Sequence, residues 1–349
     1  MIKARVIGAF GYGGIGIIEL LSMHKEVKIV SLCDVEFIGK RVSDVYPHLR
    51  GYCDIVVCEF KNEIKKEADI TFCATPDKVG MGYAEDIIAS GSKLIDYSGD
   101  FRFDDLETYK EYATRLGLST EHKASELLDK SVYGLTELNR EKIKKALIVG
   151  NPGCFAVSCI LGLYPLFKND FIDKSKTICD CKTGVSGAGK KPSPQFHFPN
   201  RYENMNSYRL TGHQHVMEIE KTLSDVASKD VKVVFTPQVV PVCRGIMSTL
   251  YVNLLKEIEE KELIELYKET YKDSKFVKIA EDFIPDNNLT RQTNDCYIKP
   301  TLDKRAGIVR IISHIDNLMK GQSGSALQNM NVMFGIDESL GLNIVNKQP

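Results

Sequence analysis

The chain is most restricted by its first thirty-odd residues. "KARVIGAF" is an apolar run of strand character. "GYGG" follows at once, then "IGIIELLSMH" with apolar residues at helical spacing, then "VKIVSLCD", a second apolar strand. Strand, glycine turn, helix and strand in so short a span leave one economical packing, two parallel strands joined by a right-handed crossover helix. The rhythm continues through "ADITFCATP", the helix-prone "GMGYAEDIIASG" closed by Gly91, and "KLIDYSGDF". Residues 1–150 are therefore expected to form a doubly wound parallel sheet.

From about Gly150 the pattern changes. "SKTICDCKTGVSGAG", "VKVVFTPQVVPV" and "GIMSTLYVNLL" read as strands of a second, mixed and largely antiparallel sheet, interrupted by the charged helical stretch "KEIEEKELIELYKETYKDS". Leu327, Met330 and Phe334 restore helical spacing near the end. A chain of 349 residues exceeds one ordinary core, so two domains are expected, joined without a tether.

Net charge is −1, which gives no field for nucleic acid or an anionic membrane. A small anionic substrate would need a local positive site. "MIKARVIGAFGYGG" is too short and glycine-broken for a signal peptide, and no run approaches a spanning helix. The expected location is the cytoplasm, where thiols stay reduced. The ten cysteines lack metal-site spacing, so no metal is expected, and most sit in apolar runs as small hydrophobes.

Gly8, Gly11 and Gly14 form G-x-x-G-x-x-G between the first strand and helix. In that context such a loop lets backbone N–H groups meet a pyrophosphate at a helix N-terminus, the Rossmann-type arrangement for a nicotinamide dinucleotide. Asp34 ends the second strand 20 positions after Gly14, where an acid holds an NAD ribose; Lys40 and Arg41 follow and suit the 2′-phosphate of NADP. Both cofactors stay open.

One cysteine stands apart. In "VGNPGCFAVSCILGLYPLF" a loop becomes an apolar helix at Cys154, with Pro152 expected in the first helical turn. Helix-terminal N–H groups stabilise a thiolate there, whereas Cys159 lies inside the helix and packs. A thiolate beside a dinucleotide suits acyl transfer: sulfur takes an activated acyl group as a thioester, and hydride reduces it to an aldehyde. "TGHQHVMEIE" offers His213 or His215 as acid/base, with Glu218 or Glu220 behind. Ser98 and Arg102, the "TGVSGAGKK" loop with Ser186, Gly187 and Lys190, and Arg244 are candidate anion ligands.

The segments "GAFGYGG", "DYSGDFR", "YGLTELNR", "GNPGCF", "GVSGAGK", "GHQHVMEIE", "FTPQVVPVCRGI" and "GQSGSALQNMNVMFG" together resemble the N-acetyl-gamma-glutamyl-phosphate reductases, the arginine-biosynthesis branch of the aspartate-semialdehyde dehydrogenase superfamily. The resemblance spans nearly the whole chain. It implies a reversible, NADPH-dependent reduction of N-acetyl-glutamyl 5-phosphate to the semialdehyde with release of phosphate. Carried over, Cys154 is the nucleophile and His213 with His215 the acid/base element. Gly8, Phe10, Gly11, Tyr12, Gly13, Gly14, Asp34, Ser186, Gly187 and Asn329 fall at cofactor positions; Ser98, Arg102, Asn151, Lys190 and Arg244 fall at substrate positions. It also implies a catalytic and oligomerisation domain over 151–312, a C-terminal segment from about 313–349 that completes the first domain, and a homo-oligomer, dimer or tetramer.

Three departures stand out. Phe155, Ala156 and Val157 follow the cysteine where the family has an aromatic, Pro and Thr. Asp34 and Val35 replace the Ser-Arg that meets the NADP phosphate, so NAD is not excluded. Lys190, where Arg or Lys commonly follows G-A-G, keeps the charge but not a two-pronged donor. The alternative readings are reduction of a related carrier-linked acyl phosphate, and a nucleotide-binding regulator without turnover.

Overall fold

The computed structural model describes residues 1–345; positions 346–349, the end of the expected C-terminal segment, lie outside the described residues. The chain divides into two compact units. The first comprises Met1–Pro152 and Gln322–Asn343; the second comprises Gly153–Gly321, with residues 344 and 345 grouped to it.

The first unit holds a seven-stranded sheet. In chain order its strands are β1 (Ile2–Ile7), β2 (Val27–Cys33), β3 (Val57–Cys58), β4 (Ile70–Cys73), β5 (Lys93–Asp96), β6 (Ser131–Tyr133) and β7 (Ile148–Gly150). Their spatial order is β3-β2-β1-β4-β5-β7-β6, every pairing parallel. The order reverses at β1, between β2 and β4, which is where doubly wound sheets open a crevice at their strand ends. Strand interiors such as Val6, Ile70, Phe72, Leu94 and Ile95 are fully buried, which explains their unbroken apolar runs. The helix Tyr12–Ser22 crosses from β1 to β2. The C-terminal helix Gly324–Met333 packs on it and on Thr136–Ile143. Asn331 fastens this return, its Oδ1 accepting from His24 Nε2 at 3.1 Å and its Nδ2 donating to Leu340 O at 2.9 Å.

The second unit has strands β8 (Ile172–Thr183), β9 (Asn206–Ser207), β10 (Val233–Val239), β11 (Ile246–Leu254), β12 (Val277–Ile279), β13 (Cys296–Asp303) and β14 (Ile308–Ile315). They are ordered β12-β13-β14-β11-β8-β10-β9. The sheet is mixed: β8/β10 and β12/β13 are parallel, the rest antiparallel. The helices Cys154–Phe167 and Gln214–Ala227 pack on each other, and the former lies on β11 and β14. Register brings three strand ends together: Ile246 pairs with Ile315 on one side and Thr183 on the other. The loops after β8 and β14 and the turn before β11 therefore converge. Relative to the expected return near residue 313, β14 continues to Ile315 within the second unit, and the first unit resumes at Gln322.

Candidate active site

In the first unit the glycine turn is built by exclusion. Gly8 has φ +82°, and a Cβ there would lie 2.4 Å from Ala74 O. A Cβ on Gly14 would lie 1.9 Å from Gly8 O, so the turn closes only with glycine at both ends. Gly13 O accepts the Ser323 hydroxyl at 3.1 Å, tying the turn to the C-terminal helix. Gly11 is the N-cap of Tyr12–Ser22, with no side-chain cap and no acid in the first turn. An uncapped, positive helix end above a tight glycine turn fits a pyrophosphate.

Asp34 has a structural task here. Its Oδ2 accepts Phe10 N–H at 2.9 Å, and its Oδ1 accepts the N–H groups of Val35 and Glu36 at 2.7 and 3.1 Å. The carboxylate thus clasps the glycine turn to the end of β2. Phe10 is buried, its ring edge-on to Phe37 and stacked on Tyr46, while Tyr12, Lys40 and Arg41 are exposed.

Several polar candidates of this unit are turned inward. Ser98 donates to Asp96 Oδ2 at 2.5 Å and accepts Asp100 N–H at 3.1 Å. Arg102 donates to Asn151 O and Tyr97 O. Asn151 donates through Nδ2 to Gln322 O at 3.0 Å. Asn329, fully buried, donates to Gly134 O at 2.8 Å and accepts the Thr136 hydroxyl at 2.8 Å. These groups shape the backbone around the ends of β5 and β7.

In the second unit the helix begins at Cys154, with Gly153 as N-cap at φ −73°, ψ 145°. Pro152 precedes the cap, so the helix starts two residues later than the proline suggested. The reason is Glu218, whose Oε2 accepts Gly153 N–H at 2.9 Å and holds that residue extended. Cys154 is half-buried at the helix's positive end. Four other thiols are buried, and burial pushes Cys33 up to about 11 and raises Cys73, Cys159 and Cys181, whereas Cys243, expected to be a buried small hydrophobe, is exposed.

The two histidines occupy different places. His213 is the N-cap of Gln214–Ala227, its Nδ1 accepting His215 N–H at 3.2 Å. It is enclosed by Phe155, Tyr208 and Phe235, and burial, with a smaller push from Arg209, lowers it to about 3. His215 lies against the nucleophile's cap: a Cβ on Gly153 would lie 2.2 Å from its Cδ2 and Nε2, and 2.8 Å from Glu218 Oε1. Phe155, the aromatic that follows the cysteine, packs its ring 5.8 Å from His213 and 6.0 Å from His215.

The remaining candidates surround the converging strand ends. Val185–Ala188 forms a 3₁₀ turn in which Ser186 is buried and its Oγ accepts Asn317 Nδ2 at 3.0 Å; Gly187 and Lys190 are exposed. Arg244 donates through Nε and Nη2 to Asp316 at 2.9 and 3.0 Å. Glu220 accepts Val233 N–H at 3.1 Å, which occupies it with β10.

Both units match known proteins. Residues 3–146 match the model of the semialdehyde dehydrogenase NAD-binding domain, and residues 154–317 that of the semialdehyde dehydrogenase dimerisation domain. Among solved structures, aspartate semialdehyde dehydrogenase II of Vibrio cholerae superposes with a TM-score of 0.72 at 15% identity, covering 96% of this chain and 98% of that one. The aspartate semialdehyde dehydrogenase of Candida albicans, solved with NADP, gives 0.70 at 16% identity, covering 96% and 98%. These show a shared fold. Among the described residues no helix is long and apolar enough to cross a membrane. Curated relatives are much more similar. The N-acetyl-gamma-glutamyl-phosphate reductase of Caldicellulosiruptor bescii is 45% identical over 99% of both chains, and that of Pelotomaculum thermopropionicum 42% identical over 98% of this chain and 97% of its own. With an uncapped glycine turn in one unit, a helix-end cysteine beside His215 in the other, and identity of this extent along its whole length, the chain belongs to the N-acetyl-gamma-glutamyl-phosphate reductase family.

Proposed function

We propose that the chain reduces N-acetyl-glutamyl 5-phosphate to N-acetyl-glutamate 5-semialdehyde, reversibly and with release of phosphate, as a step of arginine biosynthesis. The observation that carries this is the placement of Cys154 at an uncapped helix start with His215 against its N-cap, in a chain of the reductase family. The Cys154 thiolate attacks the acyl carbon, the carbon–oxygen bond to phosphate breaks, and a thioester forms. A bound nicotinamide nucleotide supplies the hydride in this direction and accepts it in the other. His215 protonates the oxygen of the reduced carbon, then takes that proton back as the thiolate leaves and the aldehyde forms. Glu218, bonded to Gly153 N–H and adjoining the same spot, orients the imidazole. His213 is the cap that positions it.

In the first unit the backbone of Gly8–Gly14, with Phe10, Tyr12 and Asp34 shaping the turn, would hold the cofactor's pyrophosphate, with Asn329 supporting that unit's strand ends; Ser186 and Gly187 are the second unit's candidate cofactor residues. NADP is the proposed partner, because Lys40 and Arg41 are exposed while Asp34 is engaged with backbone. Arg102 and Asn151 of the first unit, where Ser98 holds the end of β5, and Lys190 and Arg244 of the second serve the substrate in this reading. The enzyme works in the cytoplasm as a homo-oligomer, consistent with its matched dimerisation domain. The test is phosphate-dependent oxidation of N-acetyl-glutamate semialdehyde by the purified chain, with NADP and NAD compared. Cys154→Ser is expected to abolish it; cofactor reduction persisting in that variant would remove the cysteine from the mechanism.

A further inference from the structure

Asp316 follows β14 and is fully buried, yet the candidate mechanism leaves it without a task. Five donors converge on it. Oδ2 accepts Arg244 Nε at 2.9 Å and Gln292 N–H at 2.6 Å. Oδ1 accepts Arg244 Nη2 at 3.0 Å, Leu318 N–H at 2.8 Å and Met319 N–H at 3.1 Å. A buried ion pair is weak evidence for stability. Five donors on one carboxylate do fix the plane and reach of a guanidinium.

The turn carrying Arg244 is fixed from its other sides too. Asn287 Nδ2 donates to Arg244 O at 2.6 Å, and Gly245, at φ +114°, has no room for a Cβ beside Asn287. Gly245 N–H donates to Asn317 Oδ1 at 2.7 Å, and Asn317 Nδ2 reaches Ser186. The knot adjoins the nucleophile. Asp316 O accepts Gly321 N–H at 2.9 Å, and a Cβ on Gly321 would lie 2.6 Å from Cys154 Cβ and 3.3 Å from Asp316 O. Gly321 thus lies between the Asp316 main-chain carbonyl and Cys154. Arg244 keeps an outer edge: its side chain is 24% exposed, and Nη1 has no hydrogen-bond partner among the described residues.

We infer that Asp316 is the positioning residue of an oxyanion pocket beside Cys154: it holds Arg244 so that Nη1 takes a carboxylate or phosphoryl oxygen of the substrate, while Asn317 sets the Ser186 turn in register with it. This rests on the acyl-phosphate reading. The chemistry recognised is an oxyanion, supplied by the substrate's carboxylate or its phosphate.

The test uses the full chain in the oxidative direction, where phosphate and semialdehyde vary independently. Arg244→Lys is expected to raise one of their two KM values about 10- to 100-fold, the loss of one charged hydrogen bond. Cofactor KM stays unchanged and kcat stays within about threefold. A rise for phosphate places the phosphoryl group on Arg244; a rise for semialdehyde places the carboxylate there. Asp316→Asn should raise the same KM, and the double variant should be no worse than the weaker single. If Asp316→Asn does not fold, Asp316→Glu, which pushes the fork outward, takes its place with the same expectation. A second readout needs no turnover: alkylation of Cys154 by anionic iodoacetate relative to neutral iodoacetamide should fall at least fivefold in Arg244→Gln. Unchanged KM values with an unchanged alkylation ratio would overturn the inference, as would additive losses of kcat and thermal stability with KM intact. Wild-type protein inactive on this semialdehyde, with the alkylation ratio still shifting, would sink the substrate reading and leave the oxyanion pocket standing.

Discussion

Gly153→Ala separates the two histidines in one substitution. The residue has φ −73° and ψ 145°, a conformation alanine adopts freely, so backbone strain does not enter. What enters is one methyl group, 2.2 Å from His215 Cδ2 and Nε2 and 2.8 Å from Glu218 Oε1. Ordinary contact begins near 3.4 Å, so the imidazole must retreat by about 1 Å. Its retreat is limited by His213 and Phe155, whose rings lie 4.9 and 6.0 Å away. Overpacking of this kind costs about 1–3 kcal/mol, and alanine for glycine at a helix cap adds up to about 1 kcal/mol. The protein should still fold. Catalysis should suffer more, since a displacement of about 1 Å at a reacting group lowers rate about 100-fold. The assay is kcat for phosphate-dependent semialdehyde oxidation, with the pH profile of Cys154 alkylation alongside. Gly82→Ala is the control, because a Cβ there meets nothing within 4 Å. A folded Gly153→Ala enzyme with kcat within threefold of wild type would refute His215 as the acid/base.

Asp34→Asn should raise KM for NADPH and NADH together, about tenfold, because the clasp on Phe10, Val35 and Glu36 loosens the glycine turn for either cofactor. A change in their ratio with both otherwise tight would instead show contact with the ribose. Gly14→Ala places a methyl 1.9 Å from Gly8 O and should abolish cofactor binding in a titration, leaving Cys154 alkylation measurable; retained binding would count against the pyrophosphate assignment. His213 is held neutral, lowered from 6.5 to about 3 by burial, so the unfolded chain takes its proton first. Stability is then complete above about pH 6.5 and is lost as pH falls toward 3, at about 1.4 kcal/mol per pH unit for this one group. His213→Gln should flatten the acid limb of urea-melt stability by about 2 kcal/mol between pH 6.5 and pH 5; parallel limbs would contradict it.

Chain geometry was legible in the sequence wherever it leaves no choice. Gly8 and Gly14 announce themselves because a turn this tight excludes any side chain at both. Cys154 does so because a small-residue loop passes into an apolar helix at that residue. The histidine assignment was not legible, since two positions apart means different things according to where the helix begins. Gly212 at φ +77° turns the chain, His213 falls on the cap, and only His215 lies against Gly153. Nor does spacing tell a ligand from the residue that presents one. Ser98, Asn151, Asn329 and Arg244 are all polar residues in site-like motifs, and all have partners inside the fold. Asp316 was not legible because its one side-chain partner, Arg244, lies 72 residues away and is brought to it by the pairing of β14 with β11. Its signal was nonetheless present in "RIISHIDN". An aspartate closing an apolar strand becomes buried with that strand, and a buried carboxylate requires donors. The arginine just before β11 is the matching cation once the two strands are laid antiparallel. Strand ends carrying an unexplained acid are therefore where sequence reading should look for the scaffold of a site, with the exposed cations nearby as its ligands.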